Sequence, residues 1–453
     1  MKLYWWILPF YYSLVIGQDT TENKGSTTSY DIGVFTNLPS SHFLDKLRFR
    51  GGQIPLHNDP VSVMTFDDNL HIVVNEAPSP EQRQLLKDHP DCASIEQNRL
   101  VHAAQVNLNT DPSSSSPSFS TPAASHLASQ DHVANWGLAR IAQRNLPLGS
   151  TFTYPDTAGE GVDIYIVDSG VNIDHEDLRG RAYWGITTID EPDTDTNGHG
   201  TFVAGIAAGT QNGVAKKAHI IAVKTLNAKA AGTVAEILRG LHFIKLAAER
   251  SGRKSIVNLS VLTSKSVALN EAIESLTRAG LLITSAAGNH EGENDDVNAC
   301  HFSPASSPSS ITVGSTDKED VMAQFSNRGP CVDIFAPGVN VVSDNASSEK
   351  DTKKASSGTS FSCPHVSGVA ALMFAAENIT AQEVKRRILA IATTNTIRHI
   401  PKDGTPNVML FTGISSSESG DSPVYTAMAP DRLLKFDWKS FFMPLVALLT
   451  LLH

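Results

Sequence analysis

The chain has 453 residues, of which 41% are hydrophobic and 18% are charged. These fractions exclude a wholly disordered protein and a coiled coil, and the length allows about two to three domains. The net charge of −11, without a basic block, disfavours nucleic acid as a partner. Four cysteines are too few for a disulfide scaffold but leave room for one or two bridges.

The N-terminus has the pattern of a secretory signal peptide over residues 1–17. Lys2 precedes an uncharged run from Tyr4 to Ile16, and the small Gly17 suits a cleavage site. The run is shorter than the roughly 20 residues that a bilayer-spanning helix needs. A buried N-terminal helix is the alternative. A signal peptide predicts a protein that is secreted or held at the cell surface, or sent to a vacuole or lysosome.

Three segments follow. Residues 18–106 contain strand-like stretches at 71–74 and 93–97, with a predicted helix at 79–89 between them that has Pro80 near its start. Residues 107–130 are rich in Ser and Pro, which is typical of an exposed, cleavable linker. Residues 131–413 form one continuous globular stretch. The sequence therefore predicts a small α+β domain, a linker and a larger domain.

The larger domain alternates predicted strands with predicted helices. The predicted strands lie at 162–167, 218–223, 255–261, 281–286 and 332–335, and the predicted helices at 202–209, 233–250, 267–279 and 366–376. This alternation favours a mainly parallel sheet covered by helices on both faces, which is a three-layer α/β fold. In such sheets, sites form at the carboxyl ends of the strands.

The strand ends and helix starts carry the residues of nucleophilic catalysis. Asp168 follows the first predicted strand, His199 lies between glycines, Asn289 ends a later strand, and Ser360 opens the last helix. His199 can take the proton of the weakly nucleophilic Ser360 hydroxyl, and Asp168 can hold the imidazole in the correct tautomer. The Ser360 backbone N–H and the Asn289 carboxamide can stabilise an oxyanion. Each residue alone has a structural alternative, as a cap, a core histidine or an ordinary serine.

At these residues the chain resembles the subtilisin-like serine proteases, most closely their proteinase K branch, over residues 136–413. The spacings of 31, 90 and 71 residues between Asp168, His199, Asn289 and Ser360 are similar to those of the family. The matching strings are Trp136-Gly137-Leu138-Ala139-Arg140-Ile141, Ile166-Val167-Asp168-Ser169-Gly170-Val171, Gly198-His199-Gly200-Thr201, Ala286-Ala287-Gly288-Asn289, Gly358-Thr359-Ser360 and Pro364-His365-Val366.

The resemblance implies a subtilisin-like fold and a serine endopeptidase that forms an acyl-enzyme on Ser360. It also implies that residues 18–106 are a propeptide that inhibits the enzyme and helps it to fold. A zymogen of this kind cuts itself free, and we expect the cut in the linker 107–130. Protein and peptide substrates, and a monomeric enzyme, follow from the same resemblance.

Further site residues rest on the resemblance alone. It implies that Ser260 and Gly288 contact substrate, and that Cys300 and Cys331 form a disulfide. It also implies a structural Ca²⁺ held by the backbone carbonyls of Pro308 and Ser310 and the carboxylate of Asp333, a donor set that suits this ion. A solvated or hydrogen-bonded Asp333 without a metal is the alternative.

Two sequons, at Asn345 and Asn378, predict N-glycosylation. A third, at Asn258, lies in a predicted core strand and is discounted. Cys92 lies in the segment implied to be the propeptide, and Cys363 is predicted to be a buried free thiol.

The chain departs from the family where two or three glycines follow the strand that lines the specificity pocket. Here Val261, Leu262, Thr263 and Ser264 stand instead, and Leu262 adds bulk where substrate passes. Two hypotheses stay open at this point. The first is an active endopeptidase with a broad, apolar-leaning preference; the second is a binding or regulatory protein that processes itself once and is otherwise inactive.

The C-terminal residues 414–453 combine a polar spacer with an uncharged apolar stretch from Phe441 to Leu452. Small residues, a spacer and a short apolar tail are typical of a signal for a lipid anchor, here of the glycosylphosphatidylinositol kind. The alternatives are a C-terminal propeptide and a plain hydrophobic tail.

Overall fold

The structure of the chain is a computed structural model that describes residues 30–36, 61–76, 79–106, 127–290, 292, 295–347 and 353–414. The predicted signal peptide 1–17, the linker residues 107–126 and the C-terminal residues 415–453 lie outside the described residues. In the described part of the chain, strands alternate with helices along residues 152–286.

The helices of the described residues are α1 (Pro80–Lys87), α2 (Trp136–Ile141), α3 (His199–Ala208), α4 (Val234–Ser251), α5 (Val267–Arg278), α6 (Thr359–Ala376) and α7 (Ala381–Ile391), with one 3-10 turn at Ala299–His301. The strands are β1 (Tyr30–Thr36), β2 (Val61–Asp67), β3 (Leu70–Glu76), β4 (Cys92–Gln97), β5 (Leu100–Ala103), β6 (Leu127–Gln130), β7 (Phe152–Pro155), β8 (Val162–Asp168), β9 (Ala182–Thr187), β10 (His219–Lys224), β11 (Ala231–Thr233), β12 (Lys254–Leu259), β13 (Val261–Ser264), β14 (Leu282–Ala286), β15 (Phe302–Ser303), β16 (Ile311–Thr316), β17 (Ile334–Pro337), β18 (Val341–Asp344), β19 (Lys353–Ser356), β20 (Thr393–Thr394) and β21 (Val408–Met409).

A small N-terminal domain, β1 to β4 with α1, comes first. Its strands lie in the order β2-β3-β1-β4 and pair antiparallel. The predicted helix at 79–89 is confirmed as α1, which begins after Ser79. The Ser79 hydroxyl accepts from the backbone N–H of Gln82, and the Gln82 side chain accepts from the N–H of Ser79. This reciprocal capping box fixes the start of the helix.

The centre of the main domain (residues 127–414) is a nine-stranded sheet, in the part of the chain that the structure describes, with the order β20-β21-β17-β16-β14-β12-β8-β10-β9. Its pairs are parallel except for β20 with β21 at one edge. Ile164 and Ile166 of β8 pack with α3, α6 and α7, whereas Tyr165 and Val167 pack with α4 and α5. Both faces of the sheet are therefore covered, and the three-layer α/β prediction is confirmed.

The N-terminal domain packs on the α4 and α5 layer. Its buried Ile32 and Phe66 belong to the same apolar cluster as Leu238 of α4 and Leu269 of α5. At the edge of this contact, the Asp67 carboxylate accepts from Arg278 at 2.7 Å and from the Ser275 hydroxyl at 2.8 Å. Burial works to raise the pKa of Asp67, but these hydrogen bonds and one from the Asn69 N–H lower it on balance.

Two helices of the main domain have their first turns capped by the N-terminal part of the chain. The Glu96 carboxylate accepts from the Val267 N–H at 2.9 Å and from the Ser266 hydroxyl at the start of α5. The Asn98 carboxamide oxygen accepts from the Ala235 N–H at 2.9 Å at the start of α4. A carboxylate at a helix N-terminus also meets the positive end of the helix dipole. The two domains are thus joined by apolar and by polar contacts.

Two predicted elements differ most from the structure. The predicted strand 255–261 divides at Ser260: β12 stays in the large sheet, and β13 joins a second sheet with the order β11-β5-β13-β15. The predicted helix 366–376 is α6, which begins at Thr359 rather than at 366 and has Pro364 inside it. Pro364 has no N–H to offer the Ser360 carbonyl, and the Ser260 hydroxyl donates to that carbonyl instead, at 2.8 Å. A contact distant in sequence therefore satisfies a group that the proline leaves unbonded.

The main domain also starts earlier than 131. Residues Leu127–Gln130, which the sequence places in the linker, form β6 and pair antiparallel with β7. The composition of the linker gave no indication of this pairing, because its partner lies more than 20 residues away.

Candidate active site

Asp168 and His199 meet at the carboxyl end of the large sheet. Asp168 ends β8 and His199 begins α3, and both side chains are fully buried. Nδ1 of His199 lies 2.8 Å and 2.9 Å from the two carboxylate oxygens of Asp168. Because carboxylate oxygens only accept, Nδ1 carries the hydrogen and Nε2 is left as an acceptor. Nε2 is buried and has no hydrogen-bond partner among the described residues.

Ser360, the second residue of α6, is also fully buried. Its hydroxyl donates to the backbone carbonyl of Ser260 at 3.0 Å. No hydrogen bond joins this hydroxyl to His199 in the described part of the chain. The structure therefore brings two of the three predicted catalytic side chains into direct contact and engages the third with the neighbouring strand.

Asn289 lies beside Ser360 and is held through Thr359. The Asn289 carboxamide oxygen accepts from the Thr359 backbone N–H at 3.0 Å and from its hydroxyl at 2.8 Å. The Thr359 hydroxyl in turn accepts from the Gly288 N–H at 3.2 Å. The Nδ2 group of Asn289 is buried without a partner among the described residues, so the carboxamide presents a free donor to the site.

A short stretch of the same chain, residues 100–106, runs through this site, and we call it the cleft segment. Its first part, β5, lies between β11 and β13 and pairs antiparallel with both. The Ala104 N–H donates to the Ser260 carbonyl at 3.2 Å, and the Ala104 carbonyl accepts from the Ser360 N–H at 3.0 Å. Val106 bonds to the Ser357 carbonyl at 2.8 Å. The peptide bond between Ala104 and Gln105 is thereby fixed at Ser360.

The cleft segment passes so close to Gly358 that a residue with a Cβ atom would not fit there. A Cβ atom built on Gly358 would lie 2.6 Å from the Ala104 carbonyl oxygen and 2.8 Å from the Cα atom of Gln105, and its φ of +154° disfavours other residues. Beyond Gln105 lies a cavity of about 510 Å³ that is also lined by His199, Phe202, Asn345 and Phe361. The cleft therefore continues past the Ala104–Gln105 bond, on the side of His199.

Asp195 holds the loop that carries His199. One of its carboxylate oxygens accepts from the Ser169 hydroxyl at 2.8 Å and from the Gly198 N–H at 2.7 Å. The other accepts from the Thr201 N–H at 2.9 Å and from the Thr201 hydroxyl at 2.5 Å. Asp195 thus ties the start of α3 to the residue that follows Asp168. Sequence reasoning missed Asp195 and the role of Thr359, although Thr359 lies within the Gly358-Thr359-Ser360 string.

Of the four cysteines, Cys300 and Cys331 form a disulfide with a Cα–Cα distance of 5.2 Å. That pairing is confirmed. Cys363 is a fully buried free thiol, and burial raises its pKa to about 12. A thiol with such a pKa stays protonated at neutral pH and is not a competing nucleophile at this site.

The oxygens predicted to bind Ca²⁺ lie close together, but the group that they contact is a lysine ammonium. The ammonium of Lys385, from α7, lies 3.0 Å from the Pro308 carbonyl, 2.6 Å from the Ser310 carbonyl and 3.5 Å from the Asp333 carboxylate. The lysine already supplies the positive charge, so these residues do not fit a bound Ca²⁺. Burial raises the pKa of Asp333, and Lys385 opposes that shift. The sequence offered no signal for this contact, because Lys385 lies 75 residues from Ser310.

The sequons differ in their surroundings. Asn378 is exposed just before α7, and Asn345 is half-buried at the cavity beside Gln105. Asn258 is fully buried and bonds to the hydroxyls of Ser260 and Ser367, so its side chain is not accessible for glycosylation. No helix in the described part of the chain combines the length and apolar character needed to cross a membrane.

Comparison with known proteins agrees with this geometry. The family model of the Subtilase family matches residues 159–409. Alkaline protease 2 of Aspergillus fumigatus is 37% identical over 361 residues, which cover 74% of this chain and 67% of the relative. Subtilisin-like protease 3 of Pseudogymnoascus destructans is 43% identical over 286 residues, covering 61% and 68%.

A solved structure, described as a cold adapted subtilisin-like serine proteinase, superposes with a TM-score of 0.57 at 38% identity. The match covers 61% of this chain and 97% of that one. The family model spans more than half of the chain, and the fold and the proteolytic relatives agree with it. The chain belongs to the Subtilase family and is a subtilisin-like serine endopeptidase.

Proposed function

We propose that the chain is a secreted zymogen whose catalytic residues are Asp168, His199 and Ser360, and that its first substrate is its own Ala104–Gln105 bond. One observation carries this proposal: the Ala104 carbonyl accepts from the Ser360 N–H at 3.0 Å while β5 is paired on both sides. A peptide held as an added strand, with its carbonyl on a nucleophile's N–H, is bound as a substrate is bound.

The reaction follows from the positions of these groups. The Ser360 hydroxyl leaves the Ser260 carbonyl and attacks the carbonyl carbon of Ala104, and its proton passes to Nε2 of His199. The negative charge then lies on the Ala104 oxygen, where the Ser360 N–H and Nδ2 of Asn289 stabilise it. Asp168 stabilises the imidazolium through the hydrogen on Nδ1.

The bond between the Ala104 carbon and the Gln105 nitrogen then breaks. His199 gives its proton to the Gln105 nitrogen, which leaves as a free amine, and Ala104 stays on Ser360 as an ester. A water molecule, deprotonated by His199, hydrolyses that ester and restores the Ser360 hydroxyl. The same cycle acts on other peptides once residues 100–104 have left the cleft.

We propose that residues 18–104, the part of the predicted propeptide 18–106 on the acyl side of the cut, serve as inhibitor and folding aid for the main domain. The cleft segment fills the site, Glu96 and Asn98 cap α5 and α4, and the apolar cluster continues from the N-terminal domain into both helices. These contacts remain available to the cut propeptide, since they do not depend on the Ala104–Gln105 bond. Secretion rests on residues 1–17, and the Asn345 and Asn378 sequons become glycosylated on that route.

The test is intact-mass analysis and N-terminal sequencing of the expressed wild type beside Ser360→Ala. We expect a wild-type chain that begins at Gln105 and an uncut variant. Normal cleavage in Ser360→Ala would show that another protease makes the cut. An N-terminus within 107–130 would instead put the first cut in the linker, as the sequence alone suggested. A cut wild type that then cleaves no other peptide would support the self-processing, otherwise inactive protein.

A further inference from the structure

The side chain of Leu262 lies across the cleft beside the cleft segment. A Cβ atom built on Gly288 would lie 2.6 Å from Cδ1 and 3.0 Å from Cδ2 of Leu262. Leu262 belongs to β13, and Gly288 follows β14, so the side chain fills the space between these two parts of the cleft wall. Leu262 is half-buried and packs against the same apolar cluster that contains Ala104.

Ala104 is held at this place from both sides. Its N–H bonds to Ser260, which directly precedes β13, and its carbonyl bonds to Ser360. Asn289, which follows Gly288, is tied to Thr359 next to Ser360. Ala104 and Leu262 also share one apolar cluster, so the side chain on the acyl side of the cleaved bond lies close to β13 and Gly288. Ala104 offers only a methyl group there and is 3% exposed, so little room remains around it.

We infer that Leu262 closes the pocket for the residue on the acyl side of the cleaved bond, so that the enzyme cuts after alanine and glycine and rejects large apolar side chains. The inference rests on the proposed function, because it takes the cleft segment as a bound substrate. A larger side chain at this place would have to displace Leu262 or open the wall at Gly288, and packed interiors resist both. This narrows the broad, apolar-leaning preference that the sequence suggested.

The first test uses the processed enzyme and four fluorogenic peptide amides, Leu-Val-His-Ala-X, which copy the cleft segment with X as Ala, Gly, Leu or Phe. We expect kcat/KM for Ala to exceed that for Phe by at least about 100-fold. In Leu262→Gly and Leu262→Ala, the ratio of kcat/KM for the Phe peptide to kcat/KM for the Ala peptide should rise at least about tenfold. Leu246→Ala, which removes a leucine from an exposed part of α4, is the matched control and should retain the wild-type ratio.

The second test needs no catalysis and so separates this inference from the proposed function. In full-length Ser360→Ala, amide hydrogen exchange reports how firmly the cleft segment is held, through the N–H groups of Ala104 and Val106. Adding Ala104→Phe should speed their exchange at least about tenfold, because the ring does not fit beside Leu262. Adding Leu262→Gly should then restore the protection, and Leu246→Ala should not.

Two results would overturn the inference: a wild type that cuts after Phe as fast as after Ala, and an Ala104→Phe chain whose cleft segment stays as protected as before. A processed enzyme that cuts none of the four peptides would contradict the proposed function instead. The exchange experiment then still decides whether Leu262 limits the pocket.

Discussion

Nδ1 of His199 lies within 2.9 Å of both carboxylate oxygens of Asp168, while its other ring nitrogen, Nε2, is buried without a partner among the described residues. The contact at Nδ1 fixes the tautomer, and Nε2 stays free as an acceptor. In the proposed mechanism, Nε2 receives the proton of the Ser360 hydroxyl, which in this structure donates to the Ser260 carbonyl. For that transfer, the Ser360 hydroxyl has to turn from the Ser260 carbonyl to Nε2 of His199.

Asp168→Asn should slow self-cleavage by about 10⁴-fold with the fold intact. The asparagine amide donates to Nδ1, so the hydrogen moves to Nε2, which can no longer accept the serine proton. The measurement is the rate at which the cut propeptide appears after refolding. Asp174→Asn, at an exposed position six residues further on, should cleave at the wild-type rate. Comparable rates for Asp168→Asn and the wild type would remove Asp168 from the mechanism.

Thr359→Val should lower kcat by about 10- to 100-fold and leave KM nearly unchanged, because the lost hydroxyl orients Asn289 rather than touching substrate. Thr359→Ser retains the hydroxyl and should recover most of the activity. The readout is steady-state kinetics on the Leu-Val-His-Ala-Ala amide.

A double variant shows whether Thr359 acts through Asn289. Asn289→Ala alone should cost about 10²–10³ in kcat. If Thr359 is a positioning residue, Thr359→Val should add little in that background. A full additional loss in the double variant would show that Thr359 contributes independently.

Removing divalent metal ions with a chelator should not change the melting temperature through Asp333. With the Lys385 ammonium on all three oxygens, EDTA should shift the melting temperature equally in full-length Ser360→Ala and in Ser360→Ala with Asp333→Asn. Lys385→Met should lower stability by about 1–3 kcal/mol, since it leaves two carbonyls and a carboxylate without their cation. A smaller EDTA shift in the Asp333→Asn chain would restore the calcium site that the sequence suggested.

Acid should destabilise the protein through His365. Burial lowers the pKa of His365 to about 4, although its hydrogen bond with the Phe361 carbonyl opposes the shift. The unfolded chain takes up this proton near pH 6.5 and the folded chain only near pH 4, so unfolded molecules bind more protons between those values. Stability therefore falls as pH drops through that window, by about 3 kcal/mol in total.

Urea unfolding of full-length Ser360→Ala at about pH 7 and about pH 4.5 measures this loss. His365→Gln should show a smaller loss than the parent between the two pH values. His399→Gln, which changes an exposed histidine, should lose as much as the parent. Equal pH dependence in all three chains would contradict the assignment to His365.

The sequence by itself determined the fold class and placed the predicted catalytic residues at one edge of the large sheet. Alternating buried strands and helices favoured a mainly parallel sheet covered on both faces, and the carboxyl ends of parallel strands lie at the same edge. Asp168 at the end of β8 and Asn289 just beyond β14 therefore had to lie on that edge, near the starts of α3 and α6. The helix α1 was equally local, since Pro80 near its start marked it in the sequence.

Only the tertiary structure decided the contacts between groups that are far apart in sequence. Lys385 reaches the oxygens taken for calcium ligands, Leu262 reaches Gly288, and Ala104 reaches Ser360. Lys385 and Ala104 have no local pattern that marks them. The sequence marked Leu262 as bulk where substrate passes, but it gave no sign of the contact with Gly288. Their partners are set by how the sheet, α6, α7 and the N-terminal domain pack, and periodicity or motif spacing carries no information about that packing.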